Sequence, residues 1–313
     1  MRAATIRDSA IVVADHPDPA PGAGEVLVRV RAAGLNGADM IQVKGGYPPP
    51  AGIPADIPGL EIAGEVAALG PGARRFAEGD RVMSIVGGAG QAELVTVHER
   101  QLMPVPEGLS WEEAGGVPEA FTTAYDAIFT QAGLAAGERL LVHGAAGGVG
   151  TAGVQLGRAA GAIVTATVRN DDHHGAVTEL GASEVLAPDA FEDHGPYDVV
   201  LELVGAPNLA GNLRSLATNG RIVVIGTGAG AKAELDLRPL MMSRGRIMAS
   251  TLRSRPLEEK ALTARRLERH VLPLFETGAL RVPVAEAIPL ERAPEAYERF
   301  RAGRKLGKIV LTM

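Results

Sequence analysis

Residues 140–161 combine, in this order, an apolar strand, a glycine-rich turn and a helix with an apolar face. The turn carries a glycine fingerprint whose later glycines are Gly147 and Gly150, while Ala145 stands in the place of the first. Such a corner lets the backbone of an α/β fold approach a pyrophosphate, which the N–H groups at the helix start then face. The segment therefore predicts a parallel α/β sheet with a dinucleotide site, a purely structural turn being the alternative. The residues predicted to line the phosphates are Ala146, Gly147, Gly148 and Val149.

The composition excludes several classes of protein. The chain of 313 residues is 46% hydrophobic, has a net charge of −6 and contains no basic run. We therefore expect two domains and no binding to nucleic acid or to a membrane. Cysteine is absent, which excludes disulfides, thiolate zinc sites and a cysteine nucleophile. No apolar run approaches the length of a membrane span, and residues 1–8 hold no apolar signal core, so we expect a cytoplasmic protein.

The first third of the chain has the pattern of a β domain. Residues 25–31 alternate, with Val26, Val28 and Val30 on one face and mostly charged residues on the other. Further short strands are predicted at 61–69, 81–86 and 92–98, separated by turns rich in glycine and proline. Many short strands with this punctuation predict a compact, barrel-like β domain.

From Trp111 onward the periodicity changes, and a helix broken near Pro118 is followed by alternating strands and helices. Strands are predicted at 139–143, 162–168, 184–186, 198–204, 221–225 and 246–251, and helices at 149–160, 174–180 and 208–216. This order predicts a doubly wound parallel sheet. A long amphipathic helix is predicted at 256–275, followed by strands at 281–290 and 308–312 around a helix at 293–302. The predicted domains are residues 1–114 with 255–313, and residues 115–254.

The second strand of the nucleotide fold ends in Arg169 and Asn170, with no acidic residue at its tip. An arginine here favours NADP(H), because a guanidinium binds the 2′-phosphate through charge-assisted hydrogen bonds. Asp171 and Asp172 follow directly and keep NAD as an alternative. Ligands of such sheets lie at the carboxyl ends of the strands. The residues predicted to line the cofactor at the fourth and fifth strands are Val204, Gly205, Ile225 and Gly226.

The order of these parts resembles the medium-chain dehydrogenase/reductase superfamily, and within it the zinc-free quinone oxidoreductases, the zeta-crystallin-like branch. The segments that carry the resemblance span the chain: 34–39, 45–49, 58–66, 144–150, 250–255 and 307–311. The resemblance implies an α/β protein with a GroES-like β-barrel catalytic domain and a doubly wound Rossmann domain. It further implies a homodimer joined along the sheet edge of the nucleotide domain, and it places Thr123 beside the nicotinamide.

The chain departs from the zinc alcohol dehydrogenases at their metal site. Those enzymes carry a cysteine ligand near the position of Asn36 and a histidine where Leu60 stands. Glu61 persists, but one carboxylate beside a leucine makes no metal site. No catalytic metal is therefore predicted.

Without a metal, hydride transfer suits an acceptor that is already electrophilic, such as a quinone or an α,β-unsaturated carbonyl compound. Tyr47 lies on a loop rich in glycine and proline, and the resemblance places it at the cleft, where it is predicted to bind or protonate the acceptor oxygen, with water as the other proton source. A surface tyrosine that packs on Pro48 and Pro49 is the alternative.

Asn36 is predicted to offer its amide in the pocket that zinc would fill, a turn residue before Gly37 being the alternative. Asp39 is predicted as a site residue or as a cap of the helix at 38–43. Lys308 is predicted to be solvated, with a contact to the cofactor phosphate as the alternative.

The sequence thus predicts an NADPH-dependent, zinc-independent reductase of quinones or activated alkenes. One alternative is an enoyl or enone reductase, or another tailoring enzyme, of secondary metabolism. An alternative of a different class is an NADPH-binding redox sensor or structural protein with little turnover.

Overall fold

The computed structural model describes residues 1–313, which divide into two compact units. The first unit comprises Met1–Thr122 and Leu252–Met313, and the second is the continuous segment Thr123–Thr251. The sequence placed the two boundaries after residues 114 and 254. The first boundary falls later in the structure because the helix Pro118–Tyr125 starts in one unit and ends in the other.

Strands and helices alternate along most of the chain. The strands are β1 (Arg2–Arg7), β2 (Ala10–Asp15), β3 (Glu25–Gly34), β4 (Glu61–Leu69), β5 (Arg81–Ile85), β6 (Leu94–His98), β7 (Met103–Pro104), β8 (Arg139–Val142), β9 (Ile163–Thr167), β10 (Glu184–Leu186), β11 (Tyr197–Glu202), β12 (Leu216–Val224), β13 (Arg246–Ala249), β14 (Val284–Pro289) and β15 (Lys308–Thr312). The α-helices are α1 (Gly37–Val43), α2 (Trp111–Ala114), α3 (Pro118–Tyr125), α4 (Gly148–Ala159), α5 (His174–Glu179), α6 (Leu209–Arg214), α7 (Leu237–Ser243), α8 (Leu257–His270), α9 (Leu272–Glu276) and α10 (Ala293–Ala302). A π-helical segment, Asp126–Gln131, continues α3, and 3-10 segments lie at Asp171–His173, Phe191–His194, Ala206–Asn208 and Leu290–Arg292.

The first unit is built on a seven-stranded sheet in the order β14-β15-β3-β4-β5-β7, with β6 paired to β3. Its centre is β3, where Val26, Val28 and Val30 are buried as the alternating pattern predicts. All pairings in this sheet are antiparallel except that of β14 with β15. The three valines of β3 form one hydrophobic core with residues of β4, β5 and β6.

The last strand of the chain returns to the first unit. β15 pairs antiparallel with β3, with Val310 opposite Gly34, and β14 lies on its outer side. A second core forms under these strands, where the buried Tyr297 of α10 packs with Leu35 and Ile309. The pairing carries Lys308 to the end of β3, where the site residues of this unit lie.

The second unit is a six-stranded, wholly parallel sheet in the order β10-β9-β8-β11-β12-β13. The central strands β8 and β11 are buried, as expected for a parallel sheet whose helices cover it. The strand order reverses between β8 and β11, which is the position where such folds bind ligands. The predicted fold class is confirmed.

The structure differs from the sequence prediction in three places. The hairpin of β1 and β2 and the helix α7 were not predicted. The helix predicted at 256–275 is two helices, because the backbone turns at Val271 (φ −114°) before α9 begins with Pro273 in its first turn. None of the helices has the length and apolarity needed to span a membrane.

Candidate functional site

The start of α4 has the features of an anion site. The strand β8 leads into a turn in which Gly144 has φ +63°, and Gly147 is the extended residue that precedes the helix. No side chain caps this helix start, and its first turn contains no acidic residue. The unpaired N–H groups and the positive end of the helix dipole are therefore left for a ligand.

Two glycines of this turn serve different purposes. A Cβ atom on Gly150 would lie 2.5 Å from Gly144 O and 2.6 Å from Ala145 Cα, so the turn can pack on the helix only if residue 150 is glycine. A Cβ atom on Gly147 would meet only Gly144 O, at 3.4 Å, which is an ordinary contact. Packing within the protein does not require glycine at position 147, so its open face is free for a ligand. The predicted phosphate residues, numbers 146–149, are all partly exposed.

Beyond the end of β9, Arg169 is exposed and makes no ion pair or hydrogen bond. Asn170 accepts a hydrogen bond from the Asp172 N–H (3.3 Å) and so caps the short helical segment that follows. Asp171 Oδ1 lies 3.4 Å from His174 Nε2. Arg169 is therefore the free cation at this strand tip, as the NADP(H) prediction requires.

A single residue, Glu202, ties together the loops that follow β11 and β12. Its Oε1 atom accepts hydrogen bonds from the N–H groups of Val204 (2.7 Å) and Gly205 (2.8 Å). Its main-chain oxygen accepts the N–H groups of Ile225 (2.9 Å) and Gly226 (3.1 Å). The four predicted cofactor residues of these loops thus have their N–H groups engaged within the protein, which leaves their side chains and carbonyl oxygens for a ligand.

The carboxylate of Glu202 is itself held by a buried polar chain. Its Oε2 accepts from Asn212 Nδ2 (2.8 Å), and Asn212 Oδ1 in turn lies 2.7 Å from His143 Nε2. His143 Nε2 is therefore the donor nitrogen, and Nδ1 faces the Thr167 hydroxyl at 3.0 Å. Burial lowers the pKa of His143, so the ring is neutral. Glu202 was not among the predicted site residues, although an acidic residue at the end of a buried strand is a signal for one.

Packing explains the glycines of these loops. Gly205 has φ +116°, and a Cβ atom there would lie 2.5 Å from Gly230 O. A Cβ atom on Gly226 would lie 2.2 Å from Leu203 O.

Thr123, on α3, has a buried hydroxyl with no hydrogen-bond partner, which is a rare state that a bound ligand would relieve.

In the first unit, Lys308 binds Asn36 and Glu61, which stand where zinc alcohol dehydrogenases have their metal site. Its Nζ donates to Glu61 Oε1 (2.5 Å), Asn36 Oδ1 (2.7 Å) and Leu35 O (2.9 Å). Asn36 Nδ2 donates to the same Glu61 oxygen at 2.9 Å. The prediction that Lys308 is solvated is wrong, since its side chain is 3% exposed. The Asn36 amide is also fully engaged rather than open.

Two neighbours complete this cluster. Asp39 Oδ2 accepts the Asn36 N–H (2.8 Å), and its Oδ1 accepts the Gly59 N–H (3.1 Å), so Asp39 joins the start of α1 to the segment before β4. Burial raises the pKa of Asp39 to about 6. Leu60, at the position of a histidine ligand in zinc enzymes, is buried. No group of three or more His, Cys, Asp or Glu side chains is arranged to bind a metal ion.

Tyr47 is half-buried, and its backbone adopts φ +54°, which is unusual for a tyrosine. Arg253 holds this conformation, because its Nη1 donates to Tyr47 O (2.6 Å) and its guanidinium lies 4.9 Å from the ring centroid. The other Arg253 nitrogens donate to Gly87 O and to Gln42 Oε1. The Tyr47 hydroxyl makes no hydrogen bond within the chain. Desolvation and the charge of Glu119 raise the pKa of this phenol, while Arg253 lowers it.

Glu119, near the start of α3, was not predicted as a site residue, yet it lies beside this cluster. Its N–H donates to Glu61 Oε2 at 2.8 Å, and its side chain is partly exposed. Desolvation, followed by repulsion from Glu61, raises the pKa of the Glu119 carboxyl to about 8. Thr123 is the only residue of α3 that the sequence predicted as a site residue, since nothing local marks an acidic residue at a helix start as unusual.

Two family models match the chain. The model of the alcohol dehydrogenase GroES-like domain matches residues 22–107, and that of the zinc-binding dehydrogenases matches residues 180–311. The rat quinone oxidoreductase is 32% identical over 308 residues, which cover 94% of this chain and 91% of that protein.

The chain is also similar to part of a much longer synthase and to a solved structure. Erythronolide synthase EryA2 of Saccharopolyspora erythraea is 37% identical over 313 residues, and the match covers 94% of this chain but only 8% of the synthase. The structure of a mycobacterial protein complexed with NADPH superposes with a TM-score of 0.88, at 26% identity and with 100% of both chains covered.

Proposed function

Because the chain belongs to the quinone oxidoreductase branch of the medium-chain dehydrogenase/reductase superfamily, we propose that it reduces quinones or α,β-unsaturated carbonyl compounds with NADPH and without zinc. The family is one of oxidoreductases, and the acceptor class follows the names of the quinone oxidoreductase relatives. Family membership establishes an oxidoreductase, and the identity of the coenzyme and of the acceptor is proposed in addition.

The observation that carries the proposal is the position of the Lys308 ammonium. It takes up one oxygen of Glu61 and the amide oxygen of Asn36, so these side chains are not free to ligate a metal ion. A zinc ion therefore does not fit the residues present, although one matching family model bears the name of zinc-binding dehydrogenases. Without a Lewis acid, a conjugated acceptor is the one that hydride transfer suits best.

The second unit has the residues to hold the coenzyme. When bound, a reduced nicotinamide supplies a hydride. The uncapped N-terminus of α4, at Gly147 and Gly148, would bind the pyrophosphate, and the exposed Arg169 would bind a 2′-phosphate. The unpaired hydroxyl of Thr123 would find its partner in the bound coenzyme. The NADPH-bound mycobacterial neighbour supports this choice of coenzyme.

The substitution Arg169→Ala tests the coenzyme. Charge-assisted hydrogen bonds to a phosphate are worth about 1.5–3 kcal/mol each, so we expect the KM for NADPH to rise by about 10- to 100-fold. The KM for NADH should stay unchanged, because NADH has no 2′-phosphate. Arg158→Ala, which removes another exposed arginine of this unit, is the control. Equal effects of Arg169→Ala on the two coenzymes would contradict the assignment.

On the acceptor side, Tyr47 is proposed to bind the carbonyl oxygen. Its hydroxyl has no partner in the chain, and the raised pKa of the phenol keeps it protonated at neutral pH. It can therefore donate a hydrogen bond to the oxygen on which negative charge develops. Asn36, whose amide is held by Lys308 and Glu61, is proposed to position this cluster rather than to contact the acceptor.

The proposed activity is tested by following the oxidation of NADPH after a quinone, an enone, a saturated ketone or no acceptor is added. We expect turnover with the first two acceptors only, at a rate that a metal chelator does not change. A preference for saturated ketones, or loss of activity with the chelator, would contradict the proposal.

A second candidate, reduction of an enone or enoyl thioester, is favoured by the identity to erythronolide synthase EryA2. The same assay separates the two candidates, since an enoyl thioester that outcompetes the quinones would select this one. Both candidates use the same residues of this chain.

We also propose that the chain forms a homodimer through β13. This strand is the edge of the parallel sheet, and an unpaired edge can pair with that of a second copy across a twofold axis. The helix α7, which directly precedes β13 in the chain, carries exposed apolar side chains, with Met241 69% and Met242 73% exposed. Such residues are typical of a contact surface.

The double substitution Met241→Glu with Met242→Glu is expected to give a monomer, because four carboxylates would then meet at the twofold axis. Sedimentation velocity measures the mass. Leu262→Glu, at a side chain of α8 that is 51% exposed, is the matched control and should leave the dimer intact. A wild-type protein that sediments as a monomer would contradict the proposal.

A further inference from the structure

The backbone of Glu119 is fixed in the fold, but its carboxyl group has no partner within the chain. Its backbone is fixed, because its N–H donates to Glu61 Oε2 at 2.8 Å at the start of α3. Its carboxyl oxygens accept no hydrogen bond and form no ion pair, although the carboxylates around it are all engaged. The residue as a whole is partly exposed rather than enclosed in the core.

Charged groups on several elements face Glu119. The carboxylates of Glu61 on β4 and Asp39 on α1 disfavour its ionised form, whereas Lys308 and Arg253 favour it. The negative charge of ionised Glu119 in turn raises the pKa of Tyr47. The three donor positions of Lys308 are already filled by oxygens of Leu35, Asn36 and Glu61, so this cation cannot bond to Glu119. Desolvation therefore prevails and raises the pKa to about 8, so Glu119 carries a proton at neutral pH.

Tyr47 and Glu119 differ in how readily they release a proton. The pKa of Tyr47 is raised above its usual value, so the phenol keeps its proton and serves as a hydrogen-bond donor. The pKa of the Glu119 carboxyl lies near the working pH, where an acid both gives its proton readily and regains it from water. The two pKa shifts therefore favour Tyr47 for binding the oxygen and Glu119 for delivering the proton.

We propose that Glu119 is the proton donor that completes the reduction of the acceptor. The inference rests on the proposed function and names the source of its proton. A hydride from NADPH, which would thereby be oxidised to NADP⁺, would form a new C–H bond at the β-carbon of an enone, and the π electrons of the C=C bond would move to give an enolate. The O–H bond of Glu119 then breaks, and its proton forms the second C–H bond at the α-carbon. With a quinone the same proton goes to the phenolate oxygen, and water afterwards reprotonates the Glu119 carboxylate.

The test compares wild-type protein with Glu119→Gln, which keeps the size of the side chain and the N–H bond to Glu61 but has no acidic proton. General acid catalysis is worth at least about 100-fold, so we expect kcat at neutral pH to fall by about 100-fold. In the wild type, kcat should decrease as the pH rises through about 8, since the acid is then ionised. This decrease should be absent in Glu119→Gln, while the affinity for NADPH and the melting temperature stay unchanged.

Two further variants separate chemistry from structure. Glu119→Asp keeps the acid and should keep the alkaline decrease at a reduced rate. Glu119→Ala, which also lacks the acidic proton, replaces Glu119→Gln in the comparison if that variant fails to fold. Glu107→Gln, at an exposed glutamate of the segment between β7 and α2, should behave as the wild type.

The outcomes distinguish the two proposals. If the wild type reduces quinones or enones but Glu119→Gln retains both the rate and the alkaline decrease, Glu119 is not the donor and the proposed function stands. If the wild type binds NADPH but reduces no such acceptor, the proposed function is wrong, and the role of Glu119 falls with it.

Discussion

We expect the substitution Lys308→Met to lower the free energy of unfolding of the first unit by about 3–5 kcal/mol. The Lys308 side chain is 3% exposed, and Nζ lies 2.5 Å from Glu61 Oε1, whose side chain is fully buried. Methionine keeps the apolar stem but leaves the Glu61 carboxylate without its counter-charge in the protein interior. The loss of one partner therefore costs more than the intact pair contributes, because the remaining charge is still desolvated.

The fluorescence of Trp111 during unfolding in urea measures this effect. Trp111 is the only tryptophan of the chain and lies in the first unit, so it reports on the unit that contains the pair. The double substitution Lys308→Met with Glu61→Gln removes both charges and should recover much of the lost stability. Arg292→Ala, in an exposed pair with Glu295, should cost less than about 1 kcal/mol. A Lys308→Met protein as stable as Arg292→Ala would show that the interior pair is not desolvated.

The substitution Gly147→Asp is expected to weaken the binding of NADPH by about 1,000-fold, because a carboxylate at the proposed pyrophosphate site repels the phosphates by several kcal/mol. The protein itself should accept the side chain. Its Cβ would meet only Gly144 O at 3.4 Å, and a negative charge before α4 interacts favourably with the helix dipole. Binding and stability are thus expected to change in opposite directions.

Gly147→Asn is the matched control, since asparagine has the shape of aspartate without its charge. Titration of the fluorescence of NADPH gives the affinities, and thermal melting gives the stabilities. The asparagine variant should bind NADPH far better than the aspartate variant. Equal affinities of the two variants would place the pyrophosphate elsewhere.

Features whose causes are local were predictable from the sequence. The alternation of Val26, Val28 and Val30 fixes which face of β3 is buried, and the order strand, glycine turn, helix fixes the start of α4. The parallel sheet follows from the repeated order of strands and helices. In each case the residues that determine the structure are neighbours along the chain.

The partners within the candidate site were not predictable in this way. Lys308 is separated from Glu61 by 247 positions, and Arg253 is separated from Tyr47 by 206. Nothing near either basic residue indicates its partner, so Lys308 was expected to be solvated and Arg253 was not predicted as a site residue. The raised pKa of Glu119 has the same origin, because it depends on neighbours from β4 and other distant elements.

The missed hairpin has a different cause. Its turn is formed by Asp8 and Ser9, with φ +50° and +60°, in the left-handed region where asparagine and glycine are the usual residues. A turn made of aspartate and serine gives a weak signal in the sequence. The strands on either side of it are also short, at six residues each.

The return of β15 to the first unit sets an order of events during synthesis. On the ribosome, residues 123–251 are translated as one uninterrupted stretch and can fold as soon as they emerge. The other unit must wait, because Glu61 acquires its counter-ion only when Lys308 has been translated. The nascent chain can therefore hold a folded α/β module and an unfinished β module only late in translation, after residue 251 and before Lys308 has emerged.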